Sequence, residues 1–304
     1  MLDENLPVMN RAIAKTYHWG IRVFGDHPLA IMGLIGVVGF VFVGIFAPLL
    51  APQDPYDLAK LDIMDGLLPP MSVMGNGMTS WLGTDALGRD ILSAVMYGLR
   101  ISLFVAFVAV TVGTIIGVFL GLLAAKQGGW VEALIMRAVD LKVSFPGILL
   151  ALMMLAIFGT GIDKIIYALI IGVWASKARL TRSTALSEMQ KEYISAARIS
   201  GISGWRVMLR FLLPNSIAPV LVMVPMSLSG AVGAEATLSF LGVGVPITEP
   251  SLGLLIANGN DYLLSGKWWI SIIPGVVLVM LVLCINVVSD RIREFSNPYI
   301  KNLG

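Results

Sequence analysis

Long apolar runs separated by polar stretches set the plan of the chain. Residues 29–51 carry no charge and are long enough to cross a ~30 Å hydrocarbon core, which takes about 20 helical residues. A second run covers 101–125. A third begins at Arg137, Asp140 and Lys142 and continues to about Phe158, with Pro146 as a kink site. Its charges lie in the first turns, where they can snorkel to the inner interface. Two further runs, 211–241 and 268–289, are also of membrane length. Residues 163–176 have the weakest pattern, because the uncharged part, 165–176, is short. They suffice if Lys164 and Lys177 snorkel outward at the two ends. Counting this segment brings the N-terminus, the basic stretch 177–210 and the tail with Arg291, Arg293 and Lys301 to one side. The positive-inside rule makes that side cytoplasmic. The expected fold class is all-α: a polytopic membrane protein with six transmembrane helices and both termini cytoplasmic.

The polar connections add detail. In residues 1–27, Ile13, Tyr17, Ile21 and Phe24 share a helical face, with Arg11, Lys15 and Arg22 elsewhere. This is read as a cytoplasmic segment at the membrane surface. Residues 53–81 carry Asp54, Asp57, Asp62 and Asp65 against Lys60, and their Pro, Gly and Asn content predicts loop and turn. Gly113, Gly117 and Gly121 recur every four residues, which puts small residues on one helix face and favours close packing. Residues 242–267 are expected to form an external loop, with Trp268 and Trp269 in an aromatic belt. Glu235 is the candidate ionisable group deep in an apolar run. A rise of about 1.5 Å per residue from Pro214 places it roughly 30 Å along a helix, near the outer interface. That argues against a midplane proton relay. It leaves a role at an outer gate beside a snorkelling or bundle-paired carboxylate.

Composition agrees and excludes several classes. The 304 residues are 57% hydrophobic and 13% charged. A net charge of +2 gives no nucleic-acid footprint. The single cysteine, Cys284, cannot form an intrachain disulfide. His18 and His27 both precede the first span, so neither a Ser/His/Asp arrangement nor a metal-ligand cluster is indicated, and no cofactor is expected. Gly266-Lys267 is followed by Trp268 rather than Ser or Thr, so the chain has no Walker A sequence and no nucleotide site of its own. The first ten residues do not resemble a cleavable signal, and the first span is expected to act as the insertion signal.

One basic stretch, 191–215, interrupts the apolar pattern. Residues from Glu192 to Arg198 are helix formers, Gly201 and Gly204 offer a turn, and Trp205, Met208, Leu209 and Leu212 recur at helical spacing. Pro214 opens the next apolar run, a position that a helix tolerates. The expected form is helix, glycine turn, helix at the cytoplasmic face. Without a partner this would be an amphipathic interfacial helix.

Glu192, Ala196, Ala197, Gly201, Leu213 and Pro214 resemble the EAA motif of ABC-importer permeases. A second segment, 82–103, resembles the signature of dipeptide and oligopeptide permeases through Gly83, Thr84, Asp85, Gly88, Arg89, Asp90, Ser93, Gly98, Arg100 and Ser102. Asp85 is able to cap a helix start there, with Arg89 and Asp90 in its first turns on a surface helix. Residues 234–246 are similar to the same family, although Leu252 stands before Gly253 where the family usually has Trp.

The resemblance implies the second permease subunit of a binding-protein-dependent peptide importer in a bacterial inner membrane. It implies a first region, 1–100, and a permease core, 101–304, with the coupling loop at about 184–215. It also implies partners: a second, similar permease in a heterodimer, two ATP-binding cassette ATPase subunits and an extracytoplasmic substrate-binding protein. ATP would close the ATPase pair, the docked loop would move, and the bundle would open outward. The chain itself would do no bond chemistry. Permeases for nickel or metallophores share these signatures. The competing class, an ion-coupled secondary transporter, requires ionisable residues near the midplane and broken, repeated helices.

Overall fold

A computed structural model describes residues 24–25, 27–55, 57, 61–246 and 249–296. The surface-segment reading of 1–27 lies almost wholly outside these residues, as do Lys60 and Lys301. Among the described residues, helices dominate. The helices are α1 (Pro28–Ile45), α2 (Ile91–Gln127), α3 (Gly129–Ser144), α4 (Gly147–Phe158), α5 (Ile162–Met189), α6 (Glu192–Ile199), α7 (Leu213–Phe240), α8 (Leu252–Asn260) and α9 (Trp269–Ser296). Short helical turns and one two-stranded hairpin, Ser72–Val73 with Thr79–Ser80, join them.

Four of these are long and apolar enough to cross a membrane: α1, α2, the continuous run Gly204–Phe240, and α9. The pair α3 and α4 can supply a fifth span, but it is bent by 94°. The expected kink at Pro146 is therefore a full break. Proline disfavours the helical conformation in the residue before it, and Phe145 is extended, with φ −102° and ψ 137°. The charges expected to snorkel at the start of this span sit instead on the separate helix α3. There, Asp140 pairs with Arg179 at 2.5 Å and Glu132 pairs with Arg182, tying α3 to α5.

The weak span at 163–176 is the first half of α5, which runs unbroken for 28 residues. Lys177 does not snorkel outward; it is fully buried. Its Nζ donates to Ser227 Oγ at 2.7 Å and to Met223 O at 3.3 Å on α7. A helix too polar to cross lipid alone is sheltered here by its neighbours. The glycine stripe of α2 makes this close approach geometrically feasible. A Cβ on Gly117 would lie 2.5 Å from Trp174 O, and one on Gly121 would lie 2.5 Å from Ala178 O. The two backbones thus meet along the face that the four-residue spacing predicted.

The main core joins α2, α7, α8 and α9 through Ile91, Leu99, Val232, Leu252, Ile270 and Leu281. The expected external loop 242–267 is not only loop. Its middle folds back as α8, capped by Ser251, whose Oγ accepts from Leu254 N at 3.2 Å. Gly253 lies against α7 so closely that a Cβ would sit 2.2 Å from Ala236 O. Leu252, at the position of the family's usual Trp, is fully buried in this core. Trp268 is exposed as a belt residue would be, but Trp269 is buried.

Candidate functional site

Two assemblies stand at opposite ends of α2. At its start, residues 83–90 form a buried knot. The cap of α2 is Asp90 rather than Asp85: its Oδ2 accepts from Ser93 N at 2.8 Å and Ser93 Oγ at 2.7 Å. Its Oδ1 accepts from Ser80 Oγ at 2.7 Å, and Gln53 Oε1 accepts from the Asp90 amide at 2.8 Å. Asp85 acts one turn earlier. Its Oδ1 accepts from the Leu87 and Arg89 amides at 2.9 Å, and its Oδ2 pairs with Arg89 Nε at 2.6 Å. Asp85, Arg89 and Asp90 are each at most 3% exposed, so this is no surface helix. Gly88, at φ +74°, would place a Cβ 2.2 Å from Asp62 O. Gly83, at φ +84°, would place one 2.7 Å from Trp269 Cδ1. Both positions therefore require glycine. Trp269 Nε1 donates to Thr84 O at 3.2 Å and Lys267 Nζ to Leu67 O at 3.1 Å, which fastens the knot to the start of α9.

At the far end of α2, helix α6 lies across the bundle. Ile194 points inward to Val118, Leu122, Ala185 and Met208, and Ala197 is buried beside it. Glu192, Ala196 and Ile199 stay on the exposed side, with Ile199 88% exposed. The two alanines of the motif thus serve opposite faces: Ala197 packs, and Ala196 is open. The helix ends in a Schellman turn. Gly201, at φ +75°, donates to Arg198 O at 3.0 Å, and Ile202 N donates to Ala197 O at 3.2 Å. The chain then resumes as the helical turn Gly204–Val207 and a π-turn, Met208–Leu212, before α7. Pro214 is exposed in the first turn of α7, where its missing N–H accompanies the wider turn.

A polar clasp that sequence reasoning missed holds this loop. Tyr193 Oη donates to Glu188 at the end of α5 and accepts from Asn215 Nδ2 at 3.2 Å. Lys191 closes the ring on Glu188 at 2.7 Å. The Glu188 carboxylate, by accepting its proton, pushes the Tyr193 hydroxyl up to about 12. Lys126, at the end of α2, sits 3.7 Å over the Trp205 ring. The only sequence signal for this clasp was the bracketing of a basic stretch by a tyrosine and an asparagine.

Glu235 lies in the bundle, not at its surface, and is fully buried. Ser102 Oγ of α2 donates to its Oε2 at 2.6 Å and Ser239 Oγ to its Oε1 at 2.8 Å. Ser251, which caps α8, also hydrogen-bonds it. The carboxylate thus joins α2, α7 and α8. Neither Glu235 nor the residues of the knot approach the α6 loop in sequence or through any of these bonds.

Comparison with known proteins fits this geometry. Residues 113–302 match the model of the binding-protein-dependent transport system inner membrane component, the span that holds the α6 loop and the core helices. The chain belongs to this family of transport permeases. Residues 20–70 match the N-terminal transmembrane domain of oligopeptide transport permease C. The permease is 36% identical to the di/tripeptide transport system permease protein DppC of Pseudomonas aeruginosa, over 92% of this chain and 91% of the relative. It is also 36% identical to the dipeptide transport system permease protein DppC of Escherichia coli, over 97% of this chain and 96% of that one. Among solved structures, the inward-facing MetNI methionine ABC transporter matches with a TM-score of 0.52 and 24% identity, over 68% of this permease and 98% of that chain. That similarity concerns the fold alone.

Proposed function

We propose that this permease is the second membrane subunit of an ATP-driven importer of di- and oligopeptides, paired with a similar permease. Two separate ATPase subunits would dock on the α6 loop, and an extracytoplasmic binding protein would deliver substrate at the knot end. The observation that carries this reading is the exposed face Glu192, Ala196 and Ile199 on a short helix whose other face is locked into the bundle. A push on α6 reaches α5 through the Tyr193–Glu188 bond and α7 through Asn215. The same loop therefore addresses both helices that join at Lys177 and Ser227. In this reading the loop and both termini face the cytoplasm, as the distribution of basic residues favours.

The test is uptake by proteoliposomes holding the complete importer. Labelled dipeptide should accumulate with ATP, and nickel should not. ATP-dependent accumulation of nickel or a metallophore, with no peptide uptake, would make the permease one for metal. Uptake driven by an ion gradient without ATP would remove the importer reading altogether.

In the same reading, Glu235 is an outer gate element, because outward opening would separate α2 from α7 and α8. Glu235→Gln keeps the volume and one acceptor, so membrane abundance should hold while uptake slows and basal ATP hydrolysis persists. Uptake at the wild-type rate would remove the gate role.

A further inference from the structure

We propose that the cavity between α4, α5 and α7 is a passage subsite for the carboxylate of the transported substrate, met by Lys142. The inference rests on the importer reading above. The cavity holds about 620 Å³, within the range of small-ligand pockets. Four of its lining residues are the glycines Gly147, Gly172, Gly230 and Gly233. A Cβ at any of these four would meet no atom within 4 Å. They differ in this from Gly113, Gly117 and Gly121, which buy helix contact. Glycine inside a helix costs about 0.5–1 kcal/mol relative to alanine. At Gly172, Gly230 and Gly233 that cost returns no packing; it returns width.

The chemistry of the wall is one-sided. Among the described residues, no Asp or Glu lines the cavity. The hydroxyl protons of Ser176, Ser227 and Thr237 are spent on their own helices, donated to Val173 O at 3.0 Å, Met223 O at 2.9 Å and Gly233 O at 2.8 Å. Behind Ser227 stands the ammonium of Lys177, fully buried and held by neutral oxygens only. Asp140, a carboxylate near Lys142 in sequence, is engaged by Arg179. The side chain of the partly buried Lys142 makes no hydrogen bond or ion pair among the described residues. An ionisable side chain left unpaired on the wall of a cavity between apolar helices points to function. The Lys142 ammonium on a wall with no facing acid, with the positive charge of Lys177 behind Ser227, favours an anion. Every free peptide carries one at its C-terminus, whatever its side chains.

The test compares uptake of a dipeptide with a free C-terminal carboxylate and the same dipeptide as its C-terminal amide. Each is supplied at saturation of the binding protein, in proteoliposomes of the complete importer. The preference of the binding protein cancels when variant is divided by wild type. Lys142→Gln should lower uptake of the free acid about tenfold, as expected for loss of a charge-assisted hydrogen bond. Uptake of the amide should change far less. Lys142→Arg should restore the preference. Lys142→Met gives the same comparison if the Gln variant inserts poorly. Gly230→Val narrows the cavity and should slow both substrates. Equal losses for acid and amide in Lys142→Gln and Lys142→Met, or no loss, would overturn the subsite. That result differs from failure of the importer reading, in which the wild-type protein itself carries no peptide.

Discussion

Asp85→Ala should destabilise the permease by about 3–5 kcal/mol, the usual result of leaving a buried charge unpaired. Arg89 is 2% exposed, and its Nε has the Asp85 carboxylate at 2.6 Å. The same substitution strands the amides of Leu87 and Arg89, which both donate to Asp85 Oδ1. The knot should then open, and with it the anchor of Thr84 to Trp269 on α9. Membrane abundance and the thermal midpoint of the detergent-purified protein report the effect. The double variant Asp85→Leu with Arg89→Met removes both charges and should recover part of the loss, since a buried pair replaced by apolar groups of similar size is often tolerated. A single variant as stable as wild type, or a double variant less stable than the single, would rule out the buried pair as the reason for this signature.

The apolar runs at 29–51, 101–125, 211–241 and 268–289 were legible because length and lack of charge alone mark a helix in lipid. What hid the rest is burial by neighbours. Residues 163–176 read as a marginal span because Lys177 was taken for an end. The lysine lies inside α5, and its partners Met223 and Ser227 are about fifty residues away in sequence, beyond any local pattern. The helix α8 was read as loop for a related reason. Gly253 and Gly259 are poor helix formers, yet they are there because α7 and α9 approach too closely for a side chain. A glycine in a polar segment reads as a turn until its neighbour is known. The signature 83–90 was recognised by residue type, but its capping residue was misplaced by five positions. Both aspartates suit an N-cap, and only the buried partners Ser80 and Gln53 select Asp90.

The loop proposed for coupling offers the second large effect, and here the fold need not suffer. Gly201 has φ +75° with open space where a Cβ would stand. Gly201→Val thus meets no clash; it opposes the left-handed conformation alone, at about 1–2 kcal/mol. The expected result is a permease present in the membrane with α6 set at a wrong angle. Uptake should collapse, while ATPase subunits either co-purify poorly or hydrolyse ATP without transport. Gly201→Ala should be milder, because alanine lacks the β-branch. Gly201→Asn should retain most uptake, because Asn visits that conformation readily. Ile199→Asp tests the face itself. Ile199 is 88% exposed and so has little part in folding. If Ile199 is one of the few central anchors of the interface, its loss is worth about 2 kcal/mol, and ATPase association should weaken by roughly thirtyfold. Glu192→Ala, about two turns earlier on the same face, should weaken it in the same direction. Normal uptake in Gly201→Val and Ile199→Asp at wild-type abundance would mean that this loop is not the lever. Abundance falling in step with uptake would mean instead that Gly201 only ends a helix.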